Sequence, residues 1–415
     1  VGRQHDMAVI FLSTDPANLF SEQTGILAKG PGYREDQQIK LGANYWKDWE
    51  RPVHFEYVDA AGCAQVEFNA GIKVFGQYSR ELKQKSLSIN LRDKYGPSEI
   101  CFPFFDGGVT NVFSSLVLRS SGQDNAVAHI RDAYCAMAVK GRMDLDFMDY
   151  RPVVVYVNGE YFGIYDLRDK IDEDYAANRT GSDPDAIDMI KGNSIVMSGS
   201  IDEYKSLLSW LDTHPLTVQA NYDAVCAQVD IEELINYWIV ESFFNNTDTG
   251  NIKFYKGRGD GSKWRWVLFD LDWALFPPTY KWNMVEEFIN PKGHGVGKMF
   301  SSKLMCALMR NDTFRSRFLT AYGTHLKTTF EADRLLALYD KMIAELETEM
   351  PYHIERWGAP ASVQTWKNNC AVLRRIISEK PALTRQAVID TFTCRTSQYA
   401  AAYRMTQAEV EQYLK

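Results

Sequence analysis

Positive charge is not in surplus in this 415-residue chain: 46 Lys and Arg stand against 54 Asp and Glu, a net charge of −8. Nucleic-acid binding draws most of its affinity from basic surface, so that class of partner is disfavoured. Cysteine is sparse and scattered. Cys63, Cys101, Cys135, Cys226, Cys306, Cys370 and Cys394 are odd in number, and no two have C-x-x-C spacing. Neither a zinc site nor a disulfide framework is indicated, and burial as small apolar residues is the expectation. The histidines His5, His54, His129, His214, His294, His325 and His353 show no H-E-x-x-H or similar ligand spacing. A zinc hydrolase therefore has no support. No run approaches ~18 apolar residues, so no membrane-spanning helix is expected. Low-complexity linkers and internal repeats are also missing. The sequence starts at Val1, so the lack of a leader pattern says nothing about targeting.

What is present suits a folded protein with a sizeable core. Hydrophobic residues make up 45% and charged residues 24%, which argues against general disorder. The length suggests two or three units. Aromatic residues reach 13% and gather in groups such as Tyr45-Trp46 and Trp264-Arg265-Trp266, which suit packing better than a binding stripe.

Three regions follow one another. Residues 1 to about 110 read as strands, for example Val53–Val58, Gly71–Phe75 and the alternating Ser86–Leu91. Residues 111 to about 200 carry a helix starting near Asp124, with Val127, Ile130, Tyr134 and Met137 on one face. A hairpin follows, with strands Val153–Val157 and Tyr161–Leu167 around Asn158-Gly159, a pair suited to a turn that needs positive φ twice. From about 201 the pattern is helical, apart from one more hairpin. A helix opens at Asp230 with Glu233 in capping-box spacing, and Ile231, Leu234, Ile235, Trp238, Ile239 and Phe243 form its apolar face. A β-rich first part and a helical second part make a two-lobed α+β protein, divided as residues 1–167 and 168–415.

The second hairpin carries the chemistry. The polar loop Asn245–Asn251 enters a strand Ile252–Lys256, and a glycine-rich turn leads to a strand Lys263–Asp272. With Lys256 facing Lys263, Asn251 lies opposite Leu268 and Asp248 opposite Leu271, so loop and Asp270-Leu271-Asp272 reach the same end. If the strand persists, Asp270 and Asp272 share one face. Two such carboxylates repel unless a cation lies between them. A hard cation such as Mg²⁺ carrying phosphates would relieve that repulsion. Asp248 could then accept a hydroxyl proton and Asn251 complete the metal shell, a division of labour that fits phosphoryl transfer. A lone D-x-D is a weak signal, and a lone Asp in such a loop more often makes an Asx-turn. A second constellation is the turn Gln77-Tyr78-Ser79-Arg80 between strands, where backbone N–H groups could meet phosphates. Lys85 could reach those phosphates as a point charge, although lysines at such a position are commonly solvated edge charges.

Read in order, five stretches resemble the CotH kinase-like (spore-coat kinase) family. They are GIKVFGQYSRELKQKSLSI (71–89), LRSSGQDNAVAHIRDAY (118–134), RPVVVYVNGEYFGIYDLRDKID (151–172), NNTDTGNIKFYK (245–256) and KWRWVLFDLDWALF (263–276). The resemblance spans roughly residues 20 to 370. It implies an atypical protein-kinase fold and ATP- and Mg²⁺-dependent phosphorylation of other proteins, notably coat proteins. It also implies a secreted, cell-surface or spore-coat location. By it, Lys85 looks like the nucleotide-contacting lysine, with Gln77 and Ser79 in the phosphate loop. Asp248 resembles the catalytic aspartate, Asn251 its metal-binding neighbour, and Asp270 and Asp272 the metal pair. Tyr165–Arg168 falls where a hinge would meet adenine, and Asp132 is an ion-pair candidate for Lys85. Phe276 stands about where the family's metal loop has glycine, and Phe75 where many relatives carry a basic residue.

Two other readings compete. Val267–Asp272 also looks like the first motif of haloacid-dehalogenase phosphatases, whose leading aspartate is a nucleophile. That motif continues with Gly-Thr or Gly-Val where this chain has Trp273-Ala274, and it needs a downstream α/β domain where helices are expected here. The non-enzymatic alternative is a coat or surface protein that uses the fold for binding, with transfer weak or lost.

Overall fold

The computed structural model describes residues 3–192, 194–289, 298–393 and 404–415. Cys394 and His294 lie outside the described residues. The chain divides into two compact units. One comprises Val1–Ala133, Asp149–Lys170 and Lys341–Cys370; the other comprises Tyr134–Met148, Ile171–Asp340 and Ala371–Lys415.

The strands, in chain order, are β1 (Ala8–Ser13), β2 (Arg51–Val58), β3 (Ala64–Val74), β4 (Leu87–Asn90), β5 (Ile100–Cys101), β6 (Val112–Phe113), β7 (Ser115–Arg119), β8 (Asp146–Phe147), β9 (Arg151–Val157), β10 (Glu160–Asp169), β11 (Ile187–Lys191), β12 (Ile195–Ser198), β13 (Lys253–Gly257) and β14 (Arg265–Leu268). In the first unit β1-β2-β3-β4-β7-β10-β9 form a closed barrel, and β5 and β6 pair with each other. Closure comes from β1, which runs antiparallel to β2 and parallel to β9, and it leaves no open sheet edge. The alternation in β2 buries Val53, Phe55 and Tyr57. These residues join Leu12, Ile72, Ile89, Leu118, Val155 and Leu167 in one core.

Asn158 and Gly159 do take positive φ (50° and 81°), as their turn requires. Four residues on, the β9–β10 ladder shifts register between Tyr161 and Gly163, and Gly163 has φ 101°. A Cβ there would lie 2.7 Å from Trp357 Nε1 and 3.0 Å from His353 Nδ1, so only glycine lets the helix Met350–Trp357 come this close. That helix is held by Trp357 Nε1 donating to Phe162 O (2.8 Å) and Ile164 N–H donating to His353 Nδ1 (3.0 Å). The His353 ring meets the His129 ring at 4.6 Å between centroids, and both are fully buried. Burial depresses the proton affinity of both imidazoles, and for His353 the neighbouring His129 adds to it. The folded state therefore refuses protons that the unfolded chain takes up below about pH 6.5. Stability is full above that pH and falls by up to about 1.4 kcal/mol per pH unit per histidine as pH drops below it. Urea unfolding at pH 7.5 and 5.5 should show a shallower acid loss for His353→Asn than for the parent. Equal losses would count against this origin of acid sensitivity.

The helix expected near Asp124 begins at Arg131 instead. The Asp124 carboxylate accepts N–H bonds from Ala128 (3.2 Å), Ile130 (2.8 Å) and Arg131 (2.9 Å). His129 is left-handed at φ 64°, so residues 125–130 form a side-chain-tied loop and Val127 is not on a helical face.

In the second unit the sheet order is β12-β11-β13-β14-β8. The helix Ile231–Phe243 is capped by Asp230, whose carboxylate accepts Glu233 N–H at 3.4 Å. Glu233 does not complete the box: its carboxylate accepts Trp266 N–H (3.0 Å) on β14. All six residues of the expected apolar face are buried, and so are Trp264 and Trp266. No strand follows β14 among the described residues, which continue in helices such as Asp312–Lys327 and Val363–Phe392. The protein is thus mixed α+β, with β structure concentrated in its N-terminal part and helices in its C-terminal part. None of the described helices is long and apolar enough to cross a membrane. Among the cysteines, Cys135 and Cys370 are buried as expected, whereas Cys63 and Cys101 are exposed. Cys63 sits in the β2–β3 turn, and Cys101 lies on the small β5–β6 pair, between Ile100 and Phe102, which pack against the core.

Candidate active site

The helix Ile231–Phe243 delivers the chain to the polar loop. Asn245 is left-handed at φ 51°, and its side-chain amide donates to Thr279 O (2.9 Å) and Trp282 O (2.8 Å). Asp248 N–H donates to Asn246 Oδ1 (3.1 Å), and Asn251 N–H returns to Asp248 O (3.1 Å). This tight turn feeds β13. The β13–β14 ladder pairs Lys253 with Val267 and Tyr255 with Arg265, one residue away from the frame that Lys256 facing Lys263 would set. β14 then stops at Leu268, and Asp270 has φ 61°. The expectation that Asp270 and Asp272 share a strand face is therefore wrong, because strand alternation ends before either residue. Asp270 is partly exposed, while Asp272 is 1% exposed.

Loop and D-x-D still meet, at Asp270. Asn251 Nδ2 donates to Asp248 Oδ2 (2.8 Å) and to Asp270 Oδ2 (2.7 Å), so one amide bridges two carboxylates. Burial first, then the charge of Asp270, pushes the Asp248 carboxyl above its ordinary range. The segment after the acids is tied back by Leu275 N–H donating to Phe244 O (2.8 Å). Six non-glycine residues have positive φ among the described residues, and three of them, Asn245, Asp270 and Leu275, belong to these two loops. Such conformations cost of order 1–3 kcal/mol each and persist only where the surroundings enforce them.

A family model described as CotH kinase protein matches residues 72–383. The chain belongs to that family. Its name marks this CotH-family chain as kinase-like, and every candidate residue lies inside the match. No curated protein matches the chain.

The donors suit a hard cation such as Mg²⁺, which needs only one or two protein carboxylates beside water and phosphate oxygens. Asp270 and Asp272 would supply carboxylate oxygens, and Asn251 would supply an amide oxygen only after its side chain turned, since its nitrogen now faces Asp248 and Asp270. No group of three or more His, Cys, Asp or Glu is arranged for a metal among the described residues.

The remaining candidates of this CotH-family chain belong to the first unit. Lys85 sits two residues before β4 and is buried (8% exposed). Its ammonium donates to Arg80 O (2.7 Å) and Leu82 O (2.9 Å) and lies 3.9 Å from the centre of the Tyr45 ring. It is not a solvated edge charge. Burial lowers its pKa to about 8, against the pull of Glu81. Gln77 is exposed and Ser79 half-buried at the turn Tyr78–Glu81. One expectation fails here. Asp132 pairs with Arg168, Nη1 to Oδ2 at 2.5 Å, rather than with Lys85. Tyr165–Arg168 lies inside β10, and Asp166 and Leu167 are laddered to both β7 and β9. Tyr165 is laddered to β9 alone and Arg168 to β7 alone. Sequence reasoning also missed Tyr45, Asn245 and Lys380. Asn245 opens the polar loop already singled out, and Lys380 carried a signal because it interrupts the helical apolar stripe Leu373, Ile376, Ile377 and Val388.

Proposed function

We propose that this chain is an ATP- and Mg²⁺-dependent phosphotransferase on a two-lobed kinase-like fold, phosphorylating Ser or Thr of a coat or surface protein. The reading is carried by the single amide of Asn251 joining Asp248 and Asp270. It gathers a candidate base and a candidate metal ligand at one point, inside a chain of the CotH kinase family. Asp248 would accept the hydroxyl proton, and its raised proton affinity makes it a better base than an exposed aspartate. Asp270 and Asp272 would hold Mg²⁺, with Asn251 turning its oxygen to the ion. The bound metal would supply charge neutralisation for the phosphates. Lys85 would leave the Arg80 and Leu82 carbonyls to donate to a nucleotide phosphate near Gln77 and Ser79; with a pKa of about 8 it stays mostly protonated at neutral pH.

Transfer of radiolabel from ATP to a serine-rich acidic protein tests the reading. We expect label incorporation by the parent and a loss of about 10²- to 10⁴-fold in Asp248→Asn. Equal labelling by both proteins would remove Asp248 as the base, and no labelling by the parent would leave a binding protein on this fold.

A further inference from the structure

Lys380 is 2% exposed on the helix Val363–Phe392, on a stripe whose other members, Leu373, Ile376, Ile377, Thr384 and Val388, are equally buried. An ammonium in such surroundings is costly unless it is well bonded. Its partners lie on the two segments that frame the candidate site. Nζ donates to Asn245 Oδ1 at 2.6 Å and to Tyr280 O at 3.1 Å. Asn245 in turn sends both amide hydrogens to Thr279 O and Trp282 O. Lys380, Asn245 and the turn Thr279–Lys281 therefore close a ring of hydrogen bonds. That ring fixes Asn245 in its left-handed conformation three residues before Asp248. The same loops are joined a second time by Leu275 N–H to Phe244 O, five residues after Asp270. The next residue, Pro381, has no N–H to give Ile377 O, so this turn of the helix is one backbone hydrogen bond short. An amine there can reach two acceptors on separate segments, which neither a hydroxyl nor an apolar side chain at that position could do.

We infer that Lys380 is a positioning residue: it clamps the loop carrying Asp248 to the segment following Asp270 and Asp272, and so sets their mutual geometry. Its kinetic consequence rests on the phosphotransferase reading, but the clamp itself does not. Displacing reacting groups by about 1 Å can cost on the order of 10²-fold in rate, so the clamp should act on turnover more than on nucleotide affinity.

The test compares the parent with Lys380→Met and with Asn245→Gly, which deletes the same link while keeping the backbone conformation permitted. Hydrogen exchange of residues 245–251 and 270–275 is followed beside kcat and the KM for ATP. In both variants we expect exchange in these segments to rise by about tenfold or more, reporting local opening. We also expect kcat to fall by about 10- to 100-fold with KM within about threefold. In Lys380→Ala, added n-propylamine should restore part of kcat and n-propanol should not. Folded variants with parental exchange and parental kcat would overturn the inference, as would equal rescue by the alcohol, which would make Lys380 a packing group. If the parent transfers no phosphate but exchange rises in the variants, the clamp stands and the phosphotransferase reading fails. If Lys380→Met does not fold, Asn245→Gly decides, and parental exchange in that variant would overturn the inference.

Discussion

Replacing Asp270 and Asp272 together by alanine should abolish the thermal stabilisation that Mg-ATP gives the parent protein. A ligand that binds only the folded state at about 100 times its Kd adds about 2.7 kcal/mol. At roughly 2–4 °C per kcal/mol for larger domains, that is a shift of about 5–10 °C in the parent and none in the variant. The single variants sharpen the result. Asp270 is partly exposed, so Asp270→Ala, which loses the Asn251 bond and strains a left-handed position, should lower the ligand-free stability less than Asp272→Ala while losing the response to Mg-ATP. Asp272 is buried, and its loss should lower the ligand-free melting temperature as well. Equal Mg-ATP shifts in parent and double variant would remove both residues from the metal site.

Asp132→Ala should be among the most damaging single changes to folding. Arg168 is 1% exposed and donates to Asp132 Oδ2 (2.5 Å) and Asp149 O (2.6 Å), with Arg119 Nε 3.8 Å from the same carboxylate. Removing one partner of a buried ion pair costs about 3–5 kcal/mol, because the remaining charge cannot reach water. That is a large share of a total stability of about 5–15 kcal/mol. Asp166 offers partial compensation. Burial raises its pKa to about 7, Arg168 opposes this and Asp132 adds to it, so loss of Asp132 should favour its ionisation and soften the damage above pH 7. Urea unfolding of Asp132→Ala at pH 6 and pH 8 measures both effects. Replacing both partners, as in Asp132→Leu with Arg168→Met, should recover most of the loss. A destabilisation under about 1 kcal/mol would indicate that the guanidinium is solvated.

Features set by near neighbours along the chain were legible in the sequence. The Asn158-Gly159 turn and the Asp230 cap each depend on a few adjacent residues, and both formed. Features set by distant partners were not. Glu233 matched its capping box, but a backbone N–H on β14 took its carboxylate. The start of the helix at Arg131 could not be placed because Asp124 spends its carboxylate on three N–H groups ahead of the helix. Barrel closure depends on Ala8–Leu12 meeting Val153–Val157, far apart in sequence. In the candidate site, the sequence order correctly suggested that the loop and Asp270 reach one end of a hairpin. It could not reveal the left-handed turn at Asp270, which breaks the period-two rule used to align Asp270 with Asp272.

The make-up of the first unit bears on how the chain matures during synthesis. Its barrel staves lie within residues 8–169, yet the helix that seals the Gly163 bulge comes from residues 350–357. Chains grow from the N-terminus at about 5–20 residues per second, so the staves leave the ribosome roughly ten seconds or more before their seal. During that interval the bulge and the His129 ring lack their covering, and a nascent chain passes through a stage in which the barrel waits on a helix made about 180 residues later.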